Sequence, residues 1–269
     1  MDDPLVVDSA TRLEADARDA VVVCGSHGGM YSAWLAARAG VRAIVLNDAG
    51  IGRHQAGIAG LHWLGSLEIP AVAIDYRSAR IGDGADMLAS GVVSMANEVA
   101  ARQGCLPGHS CVQALRCLVE NAEPIEAKEV PDIGEARKRI GNTGHREVWA
   151  VDSVSLAAEE DRRKVLVTGS HGALLGGAPD DGVLEVDVFA ALFNDAGGGK
   201  DEAGFARLSP LDARGIAAAT VSAYSSRIGD GRSTYETGVL SRVNEAARRL
   251  ELKEGMSARE AVARLVGLG

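Results

Sequence analysis

The sequence "SARIGDG" at residues 78–84 returns as "SSRIGDG" at residues 225–231, 147 positions later. With that spacing held constant, residues 47–122 align without a gap to residues 194–269, and 30 of the 76 aligned positions are identical. Nearer the start the spacing becomes 144 positions, which aligns "VDSATRLEADARDAVVVCGSHGG" from residue 7 with "VDSVSLAAEEDRRKVLVTGSHGA" from residue 151. This agreement predicts an internal duplication, because a unit of about 120 residues is far longer than the ~20–50-residue period of a solenoid.

The duplication divides the chain into three parts. The first repeat covers residues 1–122, a charged connector covers residues 123–147, and the second repeat covers residues 148–269. The connector has no counterpart elsewhere in the chain and carries the basic run "RKR" at residues 137–139. We expect a solvated connector, and the alternative is a clasp against a neighbouring subunit in a homo-oligomer.

Both repeats alternate short β-branched runs with stretches of helical periodicity. Strands are predicted at residues 5–7, 21–24, 43–46 and 71–74, and at residues 148–151, 165–168, 188–193 and 217–221. Helices are predicted at residues 31–39, 85–101 and 110–122, with Ser110 or Ser257 as an N-cap. Such alternation favours parallel strands with right-handed crossovers. The predicted fold class is therefore α/β, with two tandem homologous α/β units related by a pseudo-twofold axis.

Composition limits the classes of protein and partner. The chain has 269 residues, of which 46% are apolar and 24% are charged, and its formal net charge is −9. This acidic balance, with no run of more than three basic residues, argues against a nucleic-acid partner. The sequence has no apolar run of the ~20 residues that span a bilayer, which argues against a membrane partner. We expect a cytoplasmic protein.

Polar motifs follow the predicted strands at the same places in both repeats. "GSHG" follows one strand, "NDAG" follows the next, and "SARIGDG" or "SSRIGDG" follows the third. Because ligands of open parallel sheets bind outside the carboxyl ends of the strands, we expect these motifs to form the site. One cleft results if the two rims meet, and two separate clefts result if they do not.

The histidines of the "GSHG" motifs are the first candidates for catalysis. His27 and His171 are predicted catalytic residues, because an imidazole transfers protons near neutral pH. Ser26 and Ser170 precede them and are predicted to bind substrate. The alternative is structural, with the serine capping a helix and the histidine making a local hydrogen bond.

The "NDAG" motifs supply an amide and a carboxylate at each rim. Asp48 and Asp195 are predicted to orient or assist the histidines, and Asn47 and Asn194 are predicted to bind substrate. Asn and Asp are also the residues that simple turns prefer, which is the structural alternative.

The third motif adds a serine and an arginine in each repeat. Arg80 and Arg227 are predicted to bind a carboxylate of the substrate, since guanidinium pairs with carboxylates in a planar geometry, and Ser78 and Ser225 accompany them. Alternatively, each arginine bridges to the aspartate three residues later, which itself is expected to cap the following helix.

Common cofactor fingerprints do not occur in the sequence. It lacks a G-x-G-x-x-G motif in the dinucleotide context, a G-x-x-x-x-G-K-[ST] motif and an H-E-x-x-H motif. We therefore expect no organic cofactor, while His27, Asp48, His171 and Asp195 are residue types that bind divalent metals.

The expected function is a hydrolase that acts on an amide or cyclic amide of a small, anionic or polar metabolite. A histidine would act as the general base and the arginines would hold the anionic end of the substrate. The alternatives are a racemase or epimerase with two opposed bases, and a noncatalytic anion-binding module.

Overall fold

The computed structural model describes residues 4–123, 130–134, 136–141, 146–178 and 183–267 and contains two β-sheets flanked by helices. The first sheet has five strands in the order β1-β2-β3-β4-β5. Its strands are Leu5–Val7, Val21–His27, Ala43–Asn47, Ala71–Ile74 and Val93–Ala96. The first four strands are parallel, as predicted, and β5 pairs antiparallel with β4.

The second sheet has six strands in the order β11-β10-β9-β8-β7-β6. In chain order from β6 to β11 these strands are Arg137–Gly141, Val148–Val151, Val165–His171, Ala190–Asn194, Ala217–Val221 and Leu240–Val243. Strands β7 to β10 are parallel, and the two edge strands β6 and β11 are antiparallel to their neighbours. Each sheet is therefore mostly parallel, which makes the carboxyl ends of its central strands a common rim.

Nine α-helices lie in the described parts of the chain. From α1 to α9 they are Met30–Ala39, Ala59–Ser66, Gly84–Ser90, Glu98–Arg102, Cys111–Asn121, Leu208–Ala213, Gly231–Thr237, Glu245–Arg249 and Ala258–Gly267. None of the described helices is long and apolar enough to span a membrane.

The helix predicted over residues 85–101 is wrong, because this stretch forms α3, the strand β5 and α4. Helix α3 ends before Gly91, whose backbone is extended. Asn97 then begins α4, since its side chain accepts the Ala100 N–H at 2.9 Å. The Asn97 side chain also accepts the Ala71 N–H at 3.2 Å, which fastens this corner to the first residue of β4. Tertiary hydrogen bonds of one asparagine thus override a helical spacing.

Part of the expected connector is ordered into the second sheet. Residues 137–141 form β6, so the basic run lies in an edge strand. Arg137 pairs with the fully buried Asp161 at 2.6 Å, and its guanidinium lies 4.7 Å from the ring centre of Trp149. Residues 124–129, 135 and 142–145 of the connector lie outside the described residues.

The core has one layer on each face of each sheet. In the first sheet Val22 and Ile44 pack with α1 and α2, while Val21 and Val45 pack with α3 and α5. This alternation follows from the two-residue period of a strand. A smaller apolar cluster joins the two halves of the chain and consists of Ala49, Ile81, Ala173, Ala196, Ala203 and Ile228.

Candidate functional site

The strand-end rims of the two sheets pack against each other. Besides the apolar cluster, three backbone hydrogen bonds of the described residues cross between the halves: Gly176 N–H to Gly82 O (2.7 Å), Arg53 N–H to Ala223 O (2.8 Å) and Lys200 N–H to Tyr76 O (2.9 Å). The loops that follow the strands of both halves are therefore neighbours, and polar side chains on either rim can reach a common space.

The R-I-G-D-G turn, which occurs once in each half, supports the end of the strand that carries the histidine. Gly82 N–H donates to Gly25 O at 2.8 Å, and Gly229 N–H donates to Gly169 O at the same distance. A Cβ on Gly25 would lie only 2.6 Å from Asp83 N and from a second backbone atom, Asp8 O, so a side chain has no room there. The turn is used twice because each half needs the same support behind its "GSH" strand end.

His27 is buried at the end of β2 and carries no charge at neutral pH. Its Nδ1 accepts the Gly29 N–H at 3.0 Å. Burial lowers the pKa of His27 to about 4. Because Nδ1 of the neutral ring is an acceptor, the ring proton is on Nε2. The Cε1–Nε2 edge faces Gly229 of the other half, where an added Cβ would lie 3.4 Å from Cε1.

His171 has the same arrangement at the end of β8. Its Nδ1 accepts the Ala173 N–H at 3.3 Å, which again leaves the proton on Nε2. Burial lowers the pKa of His171 well below its ordinary value, and the positive charge of nearby Arg207 lowers it further. Its Cε1 faces Gly82, where an added Cβ would lie 3.6 Å away. Each histidine thus faces a glycine of the opposite half.

The serine before each histidine holds the chain that follows the first strand of its half. Ser26 Oγ accepts the Ala10 N–H at 2.9 Å, and Ser170 Oγ accepts the Val154 N–H at 2.8 Å. A hydroxyl that accepts one hydrogen bond still has its own hydrogen to donate. Both serines therefore combine a structural contact with a hydroxyl hydrogen that is not used in that contact.

Ser26, His27, Ser170 and His171 line one cavity of about 380 Å³. The first half also contributes Arg12, Tyr31 and Ser32, and the second half contributes Asp152, Glu185 and Arg207. This volume is suited to a small metabolite rather than a macromolecule. The cavity brings together the paired serines and histidines that the sequence predicts.

Arg207 is a site residue that the sequence analysis missed. Its side chain is only 2% exposed. Nη2 donates to Ala173 O at 2.9 Å and the guanidinium lies 4.8 Å from the ring centre of Phe193, but Nε and Nη1 have no acceptor among the described residues. Burial lowers the pKa of Arg207 to about 10, so it stays cationic at neutral pH. The available signal was the alignment itself, in which Arg207 stands opposite Gly60.

The predicted "NDAG" residues are buried beside the cavity, but they are not among the described residues that line it. Asn47 accepts the Ala49 N–H at 2.9 Å, and Asn194 accepts the Ala196 N–H at the same distance. Such contacts are those of the turn alternative. Catalytic and substrate-binding roles for the asparagines and aspartates of this motif stay predictions.

Each aspartate of the motif closes the same turn and accepts a second backbone N–H. Asp48 Oδ1 accepts from Gly50 and Tyr76 at 3.0 Å, while Asp195 Oδ1 accepts from Gly197 and Ala223 at 2.9 and 2.8 Å. Burial raises the pKa of Asp48, and the hydrogen bonds to its carboxylate lower the pKa by a smaller amount. These carboxylates fix the loop geometry of the rims.

The third motif contributes contacts at the outer surface. Ser78 Oγ accepts the Val92 N–H and Ser225 Oγ accepts the Val239 N–H, both at 2.9 Å. The motif's aspartates cap α3 and α7, as expected. Among the described residues that line the shared cavity there are no arginines or serines of this motif.

The two arginines of the motif are engaged in ion pairs. Arg80 pairs with Asp83 at 3.1 Å and with Asp201 of the other half at 3.0 Å, and it lines a separate cavity of about 400 Å³. Arg227 pairs with Asp230 at 2.6 Å. The pairs with Asp83 and Asp230 are those of the alternative in which each arginine bridges to the aspartate three residues later. Substrate binding by Arg80 or Arg227 stays a prediction.

Within the described residues no three His, Cys, Asp or Glu side chains are grouped as metal ligands would be. Comparisons with protein-family models, with curated proteins and with solved structures found no match to this chain.

Proposed function

We propose that this chain is an enzyme that acts on a small, polar, carboxylate-bearing metabolite in the cavity shared by the two rims. The observation that carries the proposal is the joint position of His27 and His171, each preceded by a serine, in the wall of one cavity. Four hydrogen-bond donors that come from two separate halves favour a ligand with several oxygen atoms. None of the proposed steps needs an organic cofactor.

The proposed reaction is hydrolysis of an amide or a ring-closed amide. In this reaction the oxygen of water bonds to the carbonyl carbon, the C–N bond breaks, and the nitrogen leaves with a proton. The transition state places negative charge on the carbonyl oxygen, and preorganised donors stabilise that charge. His27 and His171 suit this task because each presents a neutral Nε2–H.

The hydrogen bonds to Nδ1 change the role that we expected for the histidines. A ring whose Nδ1 accepts Gly29 N–H, as in His27, has its proton on Nε2 and is a donor rather than the general base. Asp152 lines the same cavity, and burial raises the pKa of its carboxyl group. We therefore assign to Asp152 the uptake of a proton from the attacking water, in place of His27 or His171.

A racemase or epimerase is the second candidate, because His27 and His171 approach the cavity from different halves. Incubation of each substrate candidate in deuterated water separates the two reactions. Deuterium at a carbon of recovered, unhydrolysed substrate supports racemisation, whereas hydrolysis without such exchange supports the first proposal.

We also infer that the two halves arose by duplication and are related by a pseudo-twofold axis. Support comes from hydrogen bonds at aligned positions, such as Gly28 N–H to Asn47 O and Gly172 N–H to Asn194 O, both 2.8 Å. The reciprocal approach of each histidine to the other half's glycine agrees with this relation.

The test begins with a ligand screen by thermal unfolding against small amides, cyclic amides and their carboxylic acids, followed by turnover assays on every stabilising compound. His27→Ala and His171→Ala are each expected to lower kcat/KM by ~10²–10³-fold, as the loss of a charge-stabilising donor does. The exposed His62 provides the matched control, His62→Ala, which should keep wild-type turnover.

Near wild-type turnover by a folded double variant of His27 and His171 would retire the enzymatic proposal for this cavity. A stabilising ligand that is always recovered unchanged would identify the chain as a binding module instead.

A further inference from the structure

Arg207 is a buried cation without a matching anion. It lies in the wall of the shared cavity at the N-cap position of α6, and its side chain is 2% exposed. Neither Nε nor Nη1 has an acceptor, and no ion pair joins Arg207 to a carboxylate of the described residues. Burial of an unpaired charge is strongly unfavourable, so an oxyanion would relieve a deficit that the protein itself leaves open.

The contacts that Arg207 does make satisfy only part of the guanidinium. One hydrogen bond runs from Nη2 to Ala173 O, and the face of Phe193 lies 4.8 Å away. A guanidinium has five N–H groups and accepts no hydrogen bonds. A carbonyl and an aromatic face therefore hold the side chain in position without neutralising it.

The aligned position in the first half shows that Arg207 is not needed to build the fold. Gly60 N–H donates to Gly28 O at 2.9 Å, and Arg207 N–H donates to Gly172 O at 2.8 Å, so the two backbones are held alike. A Cβ on Gly60 would lie 2.5 Å from the Cβ of Ala33 in α1. The first half thus closes this space with a helix, while the second half fills it with a cation.

We propose that Arg207 binds the carboxylate of the ligand and so fixes the direction in which the ligand lies in the cavity. Arg207 donates to Ala173 O, two residues after His171, so the carboxylate lies at the second-half end of the cavity. The uncharged, reacting end then faces Ser26 and His27. This assignment rests on the shared cavity being the ligand site, as proposed above, and it makes Arg207 rather than Arg80 or Arg227 the residue that selects for an anion.

The test uses acetate and its uncharged isostere acetamide as probes, at constant ionic strength, with wild-type protein, Arg207→Met and Arg207→Lys. At about ten times its Kd, acetate should raise the Tm of the wild type by about 2–4 °C, and acetamide at the same concentration should raise it less. Arg207→Met should bind acetate at least ~10-fold more weakly, as loss of a charge-assisted hydrogen bond does, with Arg207→Lys in between. Arg232→Met is the control, because Arg232 is exposed, pairs with Glu236 and does not line the cavity, and it should bind acetate like the wild type.

A measurement on the unmodified protein covers the case in which Arg207→Met does not fold. The Nε–H resonance of a buried arginine is protected from exchange and should shift when acetate is added, but not when acetamide is added. Equal effects of acetate and acetamide on the wild type, or unchanged acetate binding by folded Arg207→Met, would overturn the proposal. Neither result depends on turnover. If Arg207 does not bind acetate, the test of the histidines is unaffected, and if the histidine test fails, acetate binding by Arg207 is unaffected.

Discussion

The two halves of the chain share a backbone framework but differ in the cavity wall that each provides. In the first half α1 follows the "GSHG" turn and brings Tyr31 and Ser32 to the cavity. The aligned residues after His171 do not form a helix over residues 172–178, and Arg207 lines the wall instead. Contacts that hold the rims are thus the same in both halves, whereas contacts available to a ligand are different.

The charged contacts between the halves also differ from one side of their junction to the other. Lys200 reaches Asp86 at 2.6 Å and Arg80 reaches Asp201 at 3.0 Å, so one side of the junction has two ion pairs. On the other side Arg53 donates to the backbone oxygen of Ser225 at 3.2 Å. The backbone contacts of the rims are therefore alike in both halves, whereas the side chains that point away from the rims differ between the halves.

Replacement of the first "GSHG" glycine should have the largest effect and should be similar in both halves. Gly25→Ala places a Cβ 2.6 Å from two backbone atoms, and Gly169 is enclosed in the same way by Asp152 O at 2.6 Å. We expect each alanine variant to lower the free energy of unfolding by at least ~3 kcal/mol, through overpacking against backbone that cannot move aside.

Urea unfolding measures this loss, and Gly267→Ala serves as the control because its added Cβ would meet nothing within 4 Å. If the free energy of unfolding fell by less than ~1 kcal/mol in only one of the two alanine variants, the two turns would be held differently, contrary to this account.

Acid should destabilise the protein through the histidines of both halves. The unfolded chain protonates His27 near its ordinary pKa of 6.5, but the folded protein does so only near about 4. Above pH 6.5 both states are neutral at this site, so it adds no pH dependence there. As the pH falls from 6.5 toward 4, protons bind the unfolded state, and the free energy of unfolding falls by about 3 kcal/mol for His27 alone.

Urea unfolding between pH 7 and pH 4 checks this with wild type, His27→Gln and the exposed control His62→Gln. His27→Gln should remove about one proton from the uptake on unfolding. An acid slope in His27→Gln equal to that of the wild type would show that His27 is protonated alike in both states.

The paired helix caps should have intermediate and matching effects. Asp83 accepts the Asp86 N–H at 2.8 Å and Asp230 accepts the Ser233 N–H at 2.7 Å. Alanine at either position should cost ~1 kcal/mol of stability, the usual value for a lost N-cap. Thermal unfolding measures the loss of stability in both variants. If the two losses differ by more than ~1 kcal/mol, the ion pairs of one half account for the additional loss.

The ion pair between Lys200 and Asp86 should have the smallest effect. Both side chains are partly exposed at the junction, so a double-mutant cycle of Lys200→Met with Asp86→Asn should give a coupling of ~1 kcal/mol or less. The coupling should decrease when salt is added. A coupling well above that, unchanged by salt, would mean that this pair, rather than the apolar cluster, joins the halves.

The sequence predicts the strands well because buried parallel strands consist of short, nearly continuous apolar runs. Predicted strands 5–7, 148–151 and 217–221 have the bounds of β1, β7 and β10. It also places Ser26 and His27 at the rim of the first sheet and Ser170 and His171 at the rim of the second, since the motifs follow parallel strands at their carboxyl ends. That the rims of two different sheets face each other requires tertiary contacts that the local pattern does not encode.

Other features could not be predicted for identifiable physical reasons. Asn and Asp serve turns and active sites with the same atoms, so nothing in "NDAG" separates Asp48 in a loop from a carboxylate in a cavity. Residues 93–96 form an antiparallel strand although their neighbours have helical spacing, because Asn97 bonds to the adjacent strand. Arg207 has no motif, and only its burial beside the cavity distinguishes it from the other arginines.

The claim that both rims serve one ligand is tested most directly by imidazole ¹⁵N spectra of the protein, titrated with the best compound from the ligand screen. We predict that the spectra show both His27 and His171 with the proton on Nε2, and that both sets of signals shift with a single common Kd. A shift of only one histidine, or two distinct Kd values, would contradict the account and indicate two independent clefts.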